Sequence, residues 1–221
     1  MVTAPLVEAC CDSIATARAA AAAGAGRVEL CGPGDGGTTP SLGLMVRCRE
    51  AISIPLHVMI RPHVRDFLYD EEELDMMGGD IVAAKSVGAD GVVIGPLRAD
   101  GTIHVEQVAE LVALARPLRV TFHRAFDRTP DQHTALETLI EAGVDLVLTS
   151  GGAPTALAGA STLAALQAQA GDRLTVLAGG GIRGDSIRAL LDRAPLREVH
   201  ARATDPAIIR DLLTRLHTES S

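Results

Sequence analysis

Short apolar runs rich in Val, Ile and Leu alternate along the chain with longer Ala- and Leu-rich stretches of helical period. Residues 6–12, 27–31, 55–61, 91–96, 119–125, 146–150, 174–179 and 198–203 read as strands. Residues 13–23, 41–52, 71–87, 104–115, 131–142, 155–170, 184–193 and 205–217 read as helices. Strict strand–helix order predicts a parallel sheet covered by helices. Strand starts recur 21 to 36 residues apart. Eight such units in 221 residues favour a closed (β/α)8 TIM-like barrel, one domain over residues 1–221. A doubly wound open sheet is the other arrangement with this order. It would carry a Gly-rich phosphate turn after the first strand, and Cys10-Cys11-Asp12-Ser13 is not one.

Residues suited to helix starts sit at the expected places. Asp12 or Ser13, Ser41, Asp70, Thr129 before Pro130, and Asp205 before Pro206 can each cap a helix. Gly24, Gly88, Gly143 and Gly171 suit helix C-termini.

Side chains two apart on a strand share a face. One face carries Glu8, Cys10 and Asp12, then Glu29 and Cys31, then His57, Met59 and Arg61. It continues with Thr121, His123 and Ala125, and with Glu198, His200 and Arg202. The other face is apolar, as at Val7, Ala9, Val28, Leu30, Val58 and Ile60. Barrel interiors are normally filled by branched apolar side chains, so this chain reverses the pattern. Buried charge is costly unless paired. The set is therefore either a closed ion-pair network or a polar site at the strands' C-terminal ends, where barrel enzymes keep their chemistry.

Candidate roles follow from residue chemistry. Arg61 is a planar cation for a carboxylate or phosphate. His57, His123 and His200 titrate near neutrality. Glu8, Glu29 and Glu198 can pair with these groups or act as bases. Cys10 and Cys31 face inward at matching heights on adjacent strands, close enough to meet. Paired thiolates suit Cu(I) or Zn; two small buried hydrophobes are the other reading. Cys11 and Cys48 read as packing residues. Gly179, Gly180 and Gly181 after the seventh strand can approach an anion through backbone amides, with Thr149 and Ser150 beside them. A tight strand-to-helix turn is the alternative. Gly36-Gly37-Thr38-Thr39-Pro40-Ser41 makes a third such turn.

Composition narrows the classes. The formal net charge of −8 excludes the basic footprint of a nucleic-acid binder. No apolar run is long enough to span a membrane. The N-terminus lacks the basic-then-apolar pattern of a signal peptide, so a cytoplasmic protein with reduced thiols is expected. Lys85 is the sole lysine and falls in the third helix, which argues against Schiff-base chemistry. There is no Trp, one Tyr and three Phe. Phe67, Tyr69, Phe122 and Phe126 flank the third and fifth strands, as if reserved for walling a polar site.

Seven segments together are specific. They are Glu8-Ala9-Cys10-Cys11-Asp12-Ser13, Arg27-Val28-Glu29-Leu30-Cys31, Gly36-Gly37-Thr38-Thr39-Pro40-Ser41, Ile60-Arg61-Pro62, Asp66-Phe67, Thr121-Phe122-His123-Arg124-Ala125-Phe126-Asp127 and Leu148-Thr149-Ser150-Gly151. In order and spacing, from about residue 6 to 200, they resemble the CutC family of copper homeostasis proteins. The resemblance implies a cytoplasmic TIM-like barrel, a homo-oligomer (dimer or tetramer), and Cu(I) ligands at Cys10 and Cys31. It implies no organic cofactor. Three departures stand out: His63-Val64-Arg65 replaces the family's Arg-Gly-Gly before Asp66, the loop after Cys31 is about one residue shorter, and the long segment after the eighth strand is reduced to Ala201–Thr204.

Two functions are therefore open. The first is a Cu(I)-binding protein. The second is an enzyme doing acid–base chemistry on a small anionic or polyhydroxy compound, with Glu8, Glu29, His57, Arg61, His123 and Glu198 as candidate catalytic residues. Partners are then a copper ion or a small anionic ligand, with neither nucleic acid nor membrane.

Overall fold

The Val- and Leu-rich runs form parallel strands because both of their faces are covered. In a computed structural model, which describes residues 4–34, 37–203 and 205–217, these strands close in chain order into one barrel. The order is β1 (Leu6–Cys11), α1 (Ile14–Ala23), β2 (Arg27–Leu30), α2 (Leu42–Ala51), β3 (Leu56–Met59), α3 (Glu71–Ser86), β4 (Gly91–Ile94) and α4 (Val105–Ala115). It continues with β5 (Arg119–Phe122), α5 (Gln132–Glu141), β6 (Leu146–Thr149), α6 (Ala160–Ala170), β7 (Thr175–Gly179), α7 (Gly184–Leu191), β8 (Glu198–Arg202) and α8 (Pro206–His217). The expected (β/α)8 barrel is the fold observed.

The apolar core lies between barrel and helices. Val7, Ala9, Val28, Leu30, Val58, Ile60, Val92 and Val120 are buried there against helix residues such as Met45, Met77, Leu111, Leu136 and Leu163. Cys11 and Cys48 belong to this layer. Burial pushes their thiols up to about 12 and about 11, so they are inert packing groups.

Two acids tie the strands at the barrel's lower rim. Asp90, just before β4, accepts the Leu56 amide at 2.8 Å and pairs with Arg49. Asp145, just before β6, accepts the Val120 amide at 2.7 Å and pairs with Arg116. Conserving polar satisfaction here leaves the upper rim available for chemistry.

Ser13, Ser41 and Asp70 cap α1, α2 and α3 with their side-chain oxygens, and Asp205 accepts the Ala207 amide at the start of α8. The cap of α5 is Asp131 rather than Thr129. The Asp131 carboxylate accepts the His133 and Thr134 amides, whereas the Thr129 hydroxyl turns back to the Phe126 carbonyl at 2.8 Å. The fifth strand stops at Phe122, three residues early. His123 Nδ1 accepts the Ala125 amide at 3.1 Å and winds residues 124–128 into a tight 3-10 turn. The sixth helix starts at Ala160 rather than 155. Ahead of it the Gly159 backbone packs so closely on the Ser150 carbonyl that no side chain fits.

Candidate functional site

Alternate residues of each strand point inward, and the polar ones cluster on β8, β1, β2 and β3. At the base, Arg27 is 2% exposed and lies between two acids. Its Nε donates to Glu8 Oε2 and its Nη2 to Glu198 Oε2 at 2.6 Å. On its other oxygen, Glu8 accepts from His200 Nδ1 at 2.7 Å. Against the cost of burial, the Arg27 charge and His200 hold the Glu8 carboxyl well below its ordinary range. Burial also works against the His200 charge. The Glu29 and Glu8 carboxylates and the Cys10 thiol outweigh it and hold that imidazole well above its usual value.

Next to this cluster, His57 is 1% exposed, and its Nδ1 lies 3.4 Å from the Thr121 hydroxyl. Burial drives it down to about 4, so it is neutral. Its ring fits because the facing residue is Gly91, where a Cβ would fall 2.5 Å from the ring. Glu8, Arg27, Glu198 and His57 thus form a packed floor that does not line the cavity above.

That cavity, about 510 Å³, opens at the strands' C-terminal ends. One wall comes from β1, β2 and β8: Cys10, Asp12, Glu29, Cys31, His200 and Arg202. The opposite wall comes from β5, β6 and β7: His123, Arg124, Leu148, Gly180, Gly181 and Arg183. Arg61 and Phe67, after β3, close one side.

On the first wall the two sulfurs are 3.8 Å apart. The strands do not set them level, for Cys10 pairs in register with Glu29 and Cys31 stands one pleat higher. Their side chains lean together across that offset. Cys31 Sγ donates to Glu29 Oε1 at 3.3 Å. The hydrogen bond between the two sulfurs pulls the Cys10 thiol well below its usual range, against burial, and pushes Cys31 up. Burial pushes Glu29 up to about 8, and its Oε2 has no hydrogen-bond partner among the described residues. Cys10, Glu29 and Cys31 offer ligand atoms within 4.8 Å of one another, and so do Glu8, Glu29 and His200.

On the other wall His123 is held by three contacts. Nδ1 accepts the Ala125 amide, which places the proton on Nε2, and that atom is buried without a partner among the described residues. Phe67 packs on the ring with centroids 5.0 Å apart, and Arg61 sits over the Phe67 ring at 4.7 Å. Gly95 faces the ring so closely that a Cβ would overlap it. Burial and the Arg61 charge drive His123 down to about 3.

The two Gly-rich loops differ. After β6, Thr149 Oγ1 donates to Asp127 Oδ1 at 2.5 Å, and the Ser150 amide donates to the same carboxylate at 3.0 Å. Asp127 therefore fills that loop with the protein's own anion. After β7, Gly180 and Gly181 take positive φ of 108° and 68° and border the cavity, while Gly179 stays in the strand beneath.

Of the aromatic residues, only Phe67 lines the cavity. Tyr69, Phe122 and Phe126 belong to the hydrophobic core, so rings are spent on packing after all. Sequence reasoning passed over Arg27, although it lies two residues before Glu29 on the same face. It also passed over Gly91 and Gly95, which leave room for the two histidine rings.

Barrel and cavity together define a TIM-barrel protein with paired thiols and an arginine-lined mouth. The chain belongs to the CutC family, whose model matches residues 5–205. It is 47% identical over 199 residues to the mouse protein named copper homeostasis protein cutC homolog, covering 90% of this chain and 73% of that one. It is equally similar, at 47%, to a CutC family protein of Chromobacterium violaceum, covering 90% and 81%. The solved structure of a CutC protein from Streptococcus agalactiae superposes with a TM-score of 0.85 at 29% identity, covering 90% of this chain and all of that one. An aldolase shares the fold with a TM-score of 0.73 at 16% identity.

Proposed function

We propose that this copper homeostasis family member holds Cu(I) through Cys10 and Cys31. The observation that carries the reading is the 3.8 Å approach of two sulfurs on the wall of an open cavity. Thiolates are soft ligands suited to Cu(I). Cys10 is the group poised to ionise, because its hydrogen bond with Cys31 and the His200 cation beside it favour the thiolate. Glu29 and His200 stand next to the pair as further donors or as orienting groups. The floor cluster supplies rigidity, since Glu8 fixes His200 from below.

An anaerobic Cu(I) titration against a chromophoric chelator tests this. About one Cu(I) per chain is expected, and the Cys10→Ser/Cys31→Ser protein should lose it. Unchanged affinity in the double variant sinks the reading. Cys48→Ser serves as the control, because that thiol is packed between helices.

A further inference from the structure

The thiol pair accounts for one wall of the cavity and leaves the other without a use. A cavity of about 510 Å³ is far larger than an ion needs and falls in the size range of small-molecule sites. Its lining also has the opposite sign to the molecule. Arg61, Arg124, Arg183 and Arg202 face Asp12 and Glu29, four guanidiniums against two carboxylates, in a chain of net charge −8. Such a mouth concentrates anions.

The β7 wall has the features of an anion seat. The amides of Gly180, Gly181 and Ile182 make no hydrogen bond among the described residues, and they run directly into the N-terminus of α7. An unpaired amide is uncommon where it is buried, as at Ile182. Both glycines take positive φ and border the cavity, so no side chain stands between this backbone and the cavity. The neighbouring loop after β6 shows the contrast, because Asp127 already satisfies its amides. Arg124 lies against the same backbone. It donates through Nε to Asp127 and through Nη2 to Ser150, and a Cβ on Gly180 would come within 3.5 Å of its Nη1. His123 borders the same cavity, 5% exposed, with a proton on Nε2 and no partner for it among the described residues.

We infer that this wall binds the phosphoryl group of a small molecule. Oxygens of the group sit on the Gly180–Ile182 amides and Arg124. The rest of the molecule lies in the cavity, along the wall that His123 borders. A tetrahedral dianion matches three amides, a helix N-terminus and a guanidinium better than a planar carboxylate does. The site uses no thiol, so it stands independently of the copper reading.

The test is a titration of the full-length, 15N-labelled protein with inorganic phosphate and, separately, with glycerol 3-phosphate. Sodium chloride at matched ionic strength is the blank. Saturable movement of the Gly180, Gly181 and Ile182 amide resonances is expected with at least one phosphate probe. The ranking of the two identifies the source: tighter glycerol 3-phosphate means an organic phosphate, and parity means the free anion. Arg124→Gln, its fold checked by the same spectra, should weaken binding about tenfold or more, the loss of a charge-assisted hydrogen bond. The Cys10→Ser/Cys31→Ser protein should bind phosphate unchanged. Three amides that stay fixed with both probes, or an affinity indifferent to Arg124, overturn the inference.

Discussion

Two glycines decide where the histidines can be. His57 and His123 each occupy space that a side chain on β4, or just beyond it, would fill, and Gly91 and Gly95 leave that space empty. Replacing Gly95 by Ala puts a methyl into the His123 ring, between neighbours that cannot retreat. The expected cost is that of an overpacked core, ~1–3 kcal/mol, read as a lower urea midpoint with an unchanged slope. Gly79→Ala on α3 meets nothing within 4 Å, so it should leave stability unchanged or raise it by roughly 0.5–1 kcal/mol. At this scale the inward polar residues were legible, because alternation along a strand is a fixed geometric rule. Cys10 meets Cys31 as that rule suggests, but through a lean across one pleat. The fit of glycine to imidazole was not legible, since it depends on which strands become neighbours and at what register.

Strands β8, β1 and β2 are joined through one side chain. Arg27 bridges Glu8 and Glu198, and Glu8 passes the contact on to His200. Arg27→Met removes the cation and leaves two acids in the barrel floor. Breaking a buried pair in this way costs about 3–5 kcal/mol, so chemical denaturation should show a loss of that order. Adding Glu8→Gln to that variant should recover part of it, because one stranded charge is then gone. The order and type of the eight strands and eight helices were legible in the sequence, because eight repeats of one unit reinforce one another. The ends of β5, α5 and α6 were not. His123 bends the chain through its own Nδ1, and Asp131 outcompetes Thr129 by accepting two amides. Both are local hydrogen bonds whose choice of partner no periodicity encodes.

For the molecule as a whole, buried titrating groups set the pH range of stability. His57 and His123 sit at about 4 and about 3 in the fold, against 6.5 when unfolded. Their contribution is complete above pH 6.5 and is lost as pH falls through the folded values, because only the unfolded chain takes the protons. Glu8, also depressed, adds to the acid loss below pH 4.5. Glu29 has the opposite sign. Raised to about 8, it favours the fold below pH 4.5 and loses that contribution as pH rises through 8. Urea midpoints measured between pH 3 and 9 should fall steeply on the acid side, by up to ~1.4 kcal/mol per pH unit for each group. Glu29→Gln should flatten the alkaline side and leave the acid side in place. A last consequence concerns the single lysine. Lys85 ends α3 and donates to the carbonyls of Leu114 and Arg116 where α4 ends, at the rim where the strands begin. The cavity opens at the other rim. Apart from the chain's α-amino group, amine-directed coupling therefore has one point of attack, and a molecule tethered there stands on a surface with its mouth turned to the solution.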